Sequence, residues 1–232
     1  MQILDHMALL GPLDWAAAGA ILIAWFVISW MIEHSSAKRP SVTVLMSERR
    51  RDWMKVFVTR EPRIFDSQIL ASLRQGTSFF ASTCLLAVGG VLALAGNTEP
   101  LRGVAAEVTE MAVPVVIFQL KLAFVAIFLT NAFLKFVWAN RVFGYCAVMM
   151  AAVPNDPDDP IAYPRAAQAA ELNIRAAINF NRGLRAMYFA LAALAWLLGP
   201  FALMIATVVV IWVVWSREFA SLPRSILLNE NA

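Results

Sequence analysis

Apolar residues in this chain fall in long blocks, broken by polar stretches, rather than at helical or alternating intervals. The blocks are 15–32, 77–95, 113–135, 184–198 and 201–216. Blocks this long and this free of charge predict membrane-spanning helices. The fold class that follows is all-α, a polytopic helical membrane protein in one membrane domain over residues 1–232. The last two blocks are separated only by Gly199-Pro200. Joined, they would make a helix roughly 50 Å long, against a hydrocarbon core of about 30 Å. Split, they make a hairpin with Gly-Pro at its tip.

Charge arbitrates between five spans and four. With five spans and an outer N-terminus, the inner segments carry nine Lys/Arg before the second span, six from Lys135 to Arg185, and Arg217 and Arg224 at the end, while the outer side carries only Arg102. Four spans, with the last two blocks forming one kinked helix, would move Arg217 and Arg224 outside. The bias of Lys and Arg toward the cytoplasm favours five, with a cytoplasmic C-terminus in a bacterial inner membrane.

The polar stretches carry their own periodicity. Residues 42–60 predict a cytoplasmic helix over Val42–Thr59, with Trp53, Val56 and Phe57 on one face and Arg50, Arg51 and Lys55 over the rest, lying at the headgroups of anionic inner-leaflet lipids. Pro62 ends it, and Asp66 reads as the N-cap of a helix over Ser67–Ala95, about a third of which projects beyond the lipid. Ser78, Ser82 and Gly89 lie near one face of that helix and suggest a packing seam. Span three starts near Pro114 and runs past Lys135 toward Val153. The outer loop 96–111 holds Glu99, Glu107 and Glu110. Asn155-Asp-Pro-Asp-Asp-Pro160 is a turn, and 165–182 a second amphipathic cytoplasmic helix.

Composition agrees with this picture. Apolar residues make up 60% and charged residues 15% of the chain, where soluble domains average about 45–50% and about 25%. The net charge of +3 therefore reports topology rather than nucleic-acid binding. Cys84 and Cys146 are expected as free thiols. The N-terminus, with Asp5 and Asp14 and no basic region, does not read as a cleavable signal. His6 and His34 are far apart, no Cys or His pair has metal spacing, and no glycine-rich phosphate loop or nucleophile–base pair appears. The expectation is no enzyme, no metal and no cofactor.

Lys121 is the one charge deep inside a predicted span, and no predicted span offers it a carboxylate. Such a residue marks a functional site by default. Phe128 and Lys135 follow it at heptad intervals, with Asn131 alongside. That face suits a cationic, apolar-constricted anion pathway, which one small protomer could enclose only as a homo-oligomer. The opposing reading is a lysine that snorkels or makes one structural hydrogen bond.

The segments Arg50-Arg51-Asp52-Trp53, Phe65-Asp66, 76–83 (Gly-Thr-Ser-Phe-Phe-Ala-Ser-Thr), 179–185 (Asn-Phe-Asn-Arg-Gly-Leu-Arg), Tyr188-Phe189, Trp196, Gly199-Pro200 and Arg217-Glu218-Phe219 occur in this order. In them the chain resembles the membrane family catalogued as domain of unknown function 599, over roughly residues 40–220. The resemblance implies a multi-span protein of bacterial inner membranes and brings no activity. Read physically, Asp66, Arg74, Arg182, Arg185, Arg217 and Glu218 fall where helices leave the lipid, and arginine–carboxylate pairs among them would lock the inner helix ends together. Two functions compete: an oligomeric channel or transporter for an anion or small solute, and a non-catalytic scaffold or accessory subunit whose basic inner face binds a partner or anionic lipid.

Overall fold

The structure, a computed structural model, describes residues 10–97 and 114–229. His6, Asn231 and the outer loop beyond Asn97 lie outside the described residues. The elements are α1 (Pro12–Glu33), α2 (Val42–Thr59), α3 (Ile64–Gly96), α4 (Val115–Ala151), α5 (Ala162–Leu194), a 3-10 turn (Ala195–Leu198), α6 (Pro200–Phe219) and α7 (Leu222–Leu228). Among the described residues there is no strand. The protein is an all-α polytopic membrane protein. Four helical stretches, α1, α3, α4 and Pro200–Leu228, are long and apolar enough to cross a bilayer.

Each boundary has a local cause. Pro12 and Pro200 open α1 and α6, where a missing N–H costs nothing because that donor has no partner in the helix anyway. Ser41 caps α2 by accepting from the Val44 N–H at 3.2 Å, which satisfies one of the orphan donors of the first turn. Ser221 does the same for α7 through Arg224 N–H at 3.4 Å. The helix entered through Asp66 begins two residues earlier, at Ile64, so Asp66 is a first-turn carboxylate and not the N-cap. There it complements the positive end of the helix dipole.

The segments 165–182 and 184–198, read separately from their compositions, form one helix as far as Leu194. No proline interrupts them, and a single glycine does not break a helix held by packing. The break comes at Gly199, whose φ of 120° is a conformation that side-chain-bearing residues rarely adopt. The chain therefore turns there, and α5 and α6 are distinct helices. α3 and α4, at 33 and 37 residues, are about 50 and 55 Å long, well beyond a bilayer core.

The chain divides into two compact units. Unit 1 comprises Met1–Met31, Thr83–Ala132 and Leu184–Ser216; unit 2 comprises Ile32–Ser82, Phe133–Gly183 and Arg217–Ala232. Unit 1 is built on aromatic packing, with Phe128 edge-on to Trp25 and Phe124 and stacked on Phe189 at centroid distances of 5.2, 5.3 and 6.3 Å. Unit 2 packs Met54, Phe57, Leu70, Phe143 and Met150 against the alanine stripe Ala162, Ala166, Ala169 and Ala176 of α5. Methyl-sized side chains at that spacing let helix backbones approach closely. At Gly183 the approach is tighter still: a Cβ would lie 2.8 Å from the Phe136 ring, so only glycine fits. By contrast a Cβ on Gly89 would meet nothing within 4 Å, so among the described residues that end of the expected small-residue seam packs against nothing. Ser78 does join the seam, accepting from Asn140 Nδ2 at 3.0 Å.

Candidate functional site

In unit 1, Lys121 stands in the second turn of α4 and only 7% of it is exposed. The helix ends around it explain why an ammonium is held there. The last carbonyls of a helix have no N–H of their own helix to bind, and a cation at that end also meets the negative pole of the dipole. Lys121 Nζ donates to the Trp196 carbonyl at 2.9 Å, in the 3-10 turn that finishes α5. Gln119, two residues earlier, donates in the same way to the Ala95 carbonyl at the end of α3, at 3.0 Å. α4 thus caps two neighbouring helices with its own side chains.

Lys121 also has a carboxylate. Asp14 Oδ1 lies 3.8 Å from Nζ and accepts from Trp196 Nε1 at 2.7 Å, while the Trp196 ring centroid is 5.6 Å from the ammonium. The three side chains close a polar triangle between the start of α1, α4 and the end of α5. The expectation that no span would supply a partner is corrected here. Span one was started at Trp15, but Pro12 and Gly11 carry the helix back far enough to include Asp14. Phe128 is buried in the aromatic cluster. Asn131 is partly buried, and its Oδ1 accepts no hydrogen bond among the described residues. Lys135 belongs to unit 2 and is half-buried.

The residues expected to form one inner-boundary network form separate pairs. Asp66, fully buried, accepts from Arg60 at 2.5 Å and from Trp53 Nε1 at 2.6 Å, not from Arg74. Arg74 is exposed and donates to Asn140 Oδ1 at 3.4 Å. Arg182 pairs with Glu33 at the end of α1, at 2.9 Å, and that carboxylate holds the guanidinium pKa above its ordinary value. Arg185, which lies in unit 1, donates to Ser29 Oγ at 3.2 Å. Glu218 accepts from the Thr43 N–H at 3.0 Å and from Thr43 Oγ1 at 2.9 Å. The physical reason is reach and competition. The first-turn N–H groups of α2 are orphan donors, and a carboxylate there satisfies them as well as the dipole.

One residue escaped sequence reasoning. Arg50, the middle of an arginine triplet, is turned inward onto Asn173 Oδ1, while Asn173 Nδ2 donates to Cys146 Sγ at 3.6 Å. Its burial pushes the guanidinium pKa below the ordinary value. Its neighbours stay outside: Arg49 pairs with Asp52 at 3.2 Å and Arg51 with Glu48 at 2.7 Å and Glu171 at 2.8 Å. Only a tertiary partner 123 residues away distinguishes the middle arginine, so no local signal could have found it. A cavity of about 240 Å³ adjoins it, lined also by Thr43, Ser47, Asn181 and Glu218. Both cysteines are free and buried. Among the described residues no group of three metal-ligating side chains comes together. In the turn before α5, Asp156 and Asp159 accept from the backbone of Asp158 and Ile161 at 3.0 and 2.9 Å.

Long apolar helices, charges held at helix ends and a helical unit outside the apolar stretches define a multi-pass membrane protein. Residues 16–223 match the model of the family described as protein of unknown function, DUF599, and the chain belongs to that family. No curated protein and no solved structure matches the chain.

Proposed function

We propose that the protein is a non-catalytic integral membrane scaffold or accessory subunit, whose basic helical unit 2 docks a partner or anionic lipid. The observation that carries this reading is the state of Lys121. A pore formed by several copies needs that ammonium free to face a shared axis. Here its charge is paired with Asp14, one of its three N–H donors goes to the Trp196 carbonyl, and Phe128 is packed against three rings of the same chain. Lys121 and Phe128, the core of the suggested anion pathway, therefore serve the interior of unit 1, and the channel ranks second.

Flux measured in proteoliposomes tests the choice. The scaffold reading expects chloride and nitrate fluxes at the level of empty vesicles for the full chain. Anion flux above that level, abolished by Lys121→Met in an assembled protein, would restore the channel.

Five crossings, with the N-terminus outside and the C-terminus in the cytoplasm of a bacterial inner membrane, remain the topology we propose. Unit 1 takes five helical stretches, one each from α1, α3, α4, α5 and α6. The hydrogen bonds and ion pair around Lys121 and Gln119 bring the start of α1, the end of α3, the start of α4 and the end of α5 together, as alternate crossings require. With both native cysteines replaced, single cysteines at Asn97 and Asn229 should label with an impermeant maleimide from the periplasm and only after lysis, respectively. Labelling of position 229 in intact spheroplasts would leave four crossings.

A further inference from the structure

The geometry points to a binding groove for an anionic phospholipid on unit 2, with Arg63 and Arg74 taking the phosphate. It rests on the proposed lipid-facing role of unit 2 and gives that role a place and a ligand. A cavity of about 330 Å³, open to the surface, runs between α3 and the last turns of α4. This is within the size range of small-ligand pockets. Its walls are apolar, formed by Phe57, Leu70, Ala71, Ala147 and Met150. None of its lining residues is acidic, and its only charged ones are Arg63 and Arg74.

The two arginines share one helical face, since eleven residues are close to three full turns. Ser67 and Leu70 lie between them on that face. Arg63 is held in place rather than neutralised: NH1 donates to the Val153 carbonyl at 2.8 Å, and NH2 donates to the carbonyls of Val58 and Pro154 at 3.0 and 2.7 Å. Its guanidinium carbon lies 4.6 Å from the Phe57 ring centroid. A guanidinium has five N–H donors, so two remain for an acceptor in the groove. Among the described residues Arg74 makes one hydrogen bond, the 3.4 Å contact with Asn140.

Among the described residues neither arginine forms an ion pair, whereas Arg49, Arg51, Arg60 and Arg182 each meet a carboxylate. Two uncompensated guanidiniums over apolar walls call for an anion attached to an apolar chain, because carbonyl-fixed arginines recognise phosphate oxygens by paired donors. The source is the bilayer. α3 continues from this groove as a membrane-crossing stretch, and Ile64 and Phe65 at its start are exposed apolar side chains suited to the interface. Basic pockets of this kind between helices hold acidic headgroups.

The test is native mass spectrometry of the detergent-purified full chain titrated with phosphatidylglycerol, phosphatidylcholine or inorganic phosphate. Phosphatidylglycerol should bind at least tenfold more tightly than phosphatidylcholine, and Arg74→Gln, at an exposed side chain that meets α4 through a 3.4 Å hydrogen bond to Asn140, should remove most of that difference. Lys55→Gln removes the same charge outside the groove and should change affinity less than twofold. Equal binding of the two lipids, equal losses for Lys55→Gln and Arg74→Gln, or full displacement of lipid by millimolar phosphate would each overturn the proposal. Binding in detergent does not depend on which side of the membrane unit 2 occupies or on ion flux. A failed titration therefore removes the groove alone, and the flux result judges the scaffold reading separately.

Discussion

Replacing Asp66 with alanine should lower the stability of the protein by roughly 3–4 kcal/mol, the sum of two hydrogen bonds to a buried carboxylate at about 1.5–3 kcal/mol each, discounted for one exposed partner. Asp66 has no exposed surface, while the Arg60 side chain is 31% exposed and can recover part of its loss in water. The part-buried Trp53 Nε1 recovers less easily, because it loses the carboxylate it donates to at 2.6 Å. The substitution also removes a negative charge from the first turn of α3, where it complements the positive end of the helix dipole. Thermal unfolding in detergent reads the effect. Asp158→Ala, in an exposed turn where the residue's backbone rather than its carboxylate makes the hydrogen bond, should shift the midpoint little. A comparable shift for both variants would mean that the Asp66 pairing contributes nothing to the fold. The double variant Arg60→Ala/Asp66→Ala should cost less than the two single changes added together, as neighbours in one ion pair do.

The bounds of α2 were legible from its periodicity and the proline that follows it, Val42 to Thr59 in both readings. So were the long helices, because uninterrupted apolar runs leave the backbone no other way to satisfy its hydrogen bonds in lipid. The candidate site was legible only in part. Lys121 announced itself as a charge in an apolar run, and Asp66, Arg182 and Glu218 as charges at helix ends. Their partners did not. Asp14 was hidden because an apolar window drops the polar first turn of a helix. Glu218 and Thr43 are 175 residues apart, Arg182 and Glu33 149 apart, and Arg50 and Asn173 123 apart. Periodicity carries information about neighbours at three and four positions, and none about such pairings. A charge's address can be read from one sequence; its partner depends on how helices pack.

Lys121→Met bears on the same distinction and should cost about 3 kcal/mol, the lower end of what removing one member of a buried ion pair costs. If the lysine merely snorkelled, methionine would be neutral or stabilising in an apolar run. In the arrangement seen, methionine leaves the Asp14 carboxylate, whose side chain is 17% exposed, with Trp196 Nε1 as its remaining partner. It also leaves the Trp196 carbonyl with only the Gly199 N–H, at 3.0 Å. Asp14→Ala alone should likewise destabilise, by stranding an ammonium that is 7% exposed. The double variant Asp14→Ala/Lys121→Met removes both charges and should be more stable than Asp14→Ala, with a coupling of about 1–3 kcal/mol recovered in a thermal double-mutant cycle. Additive losses would mean the two charges do not interact. In that case Lys121 would again be a free cation in the membrane, and the pore reading would regain the observation it lost.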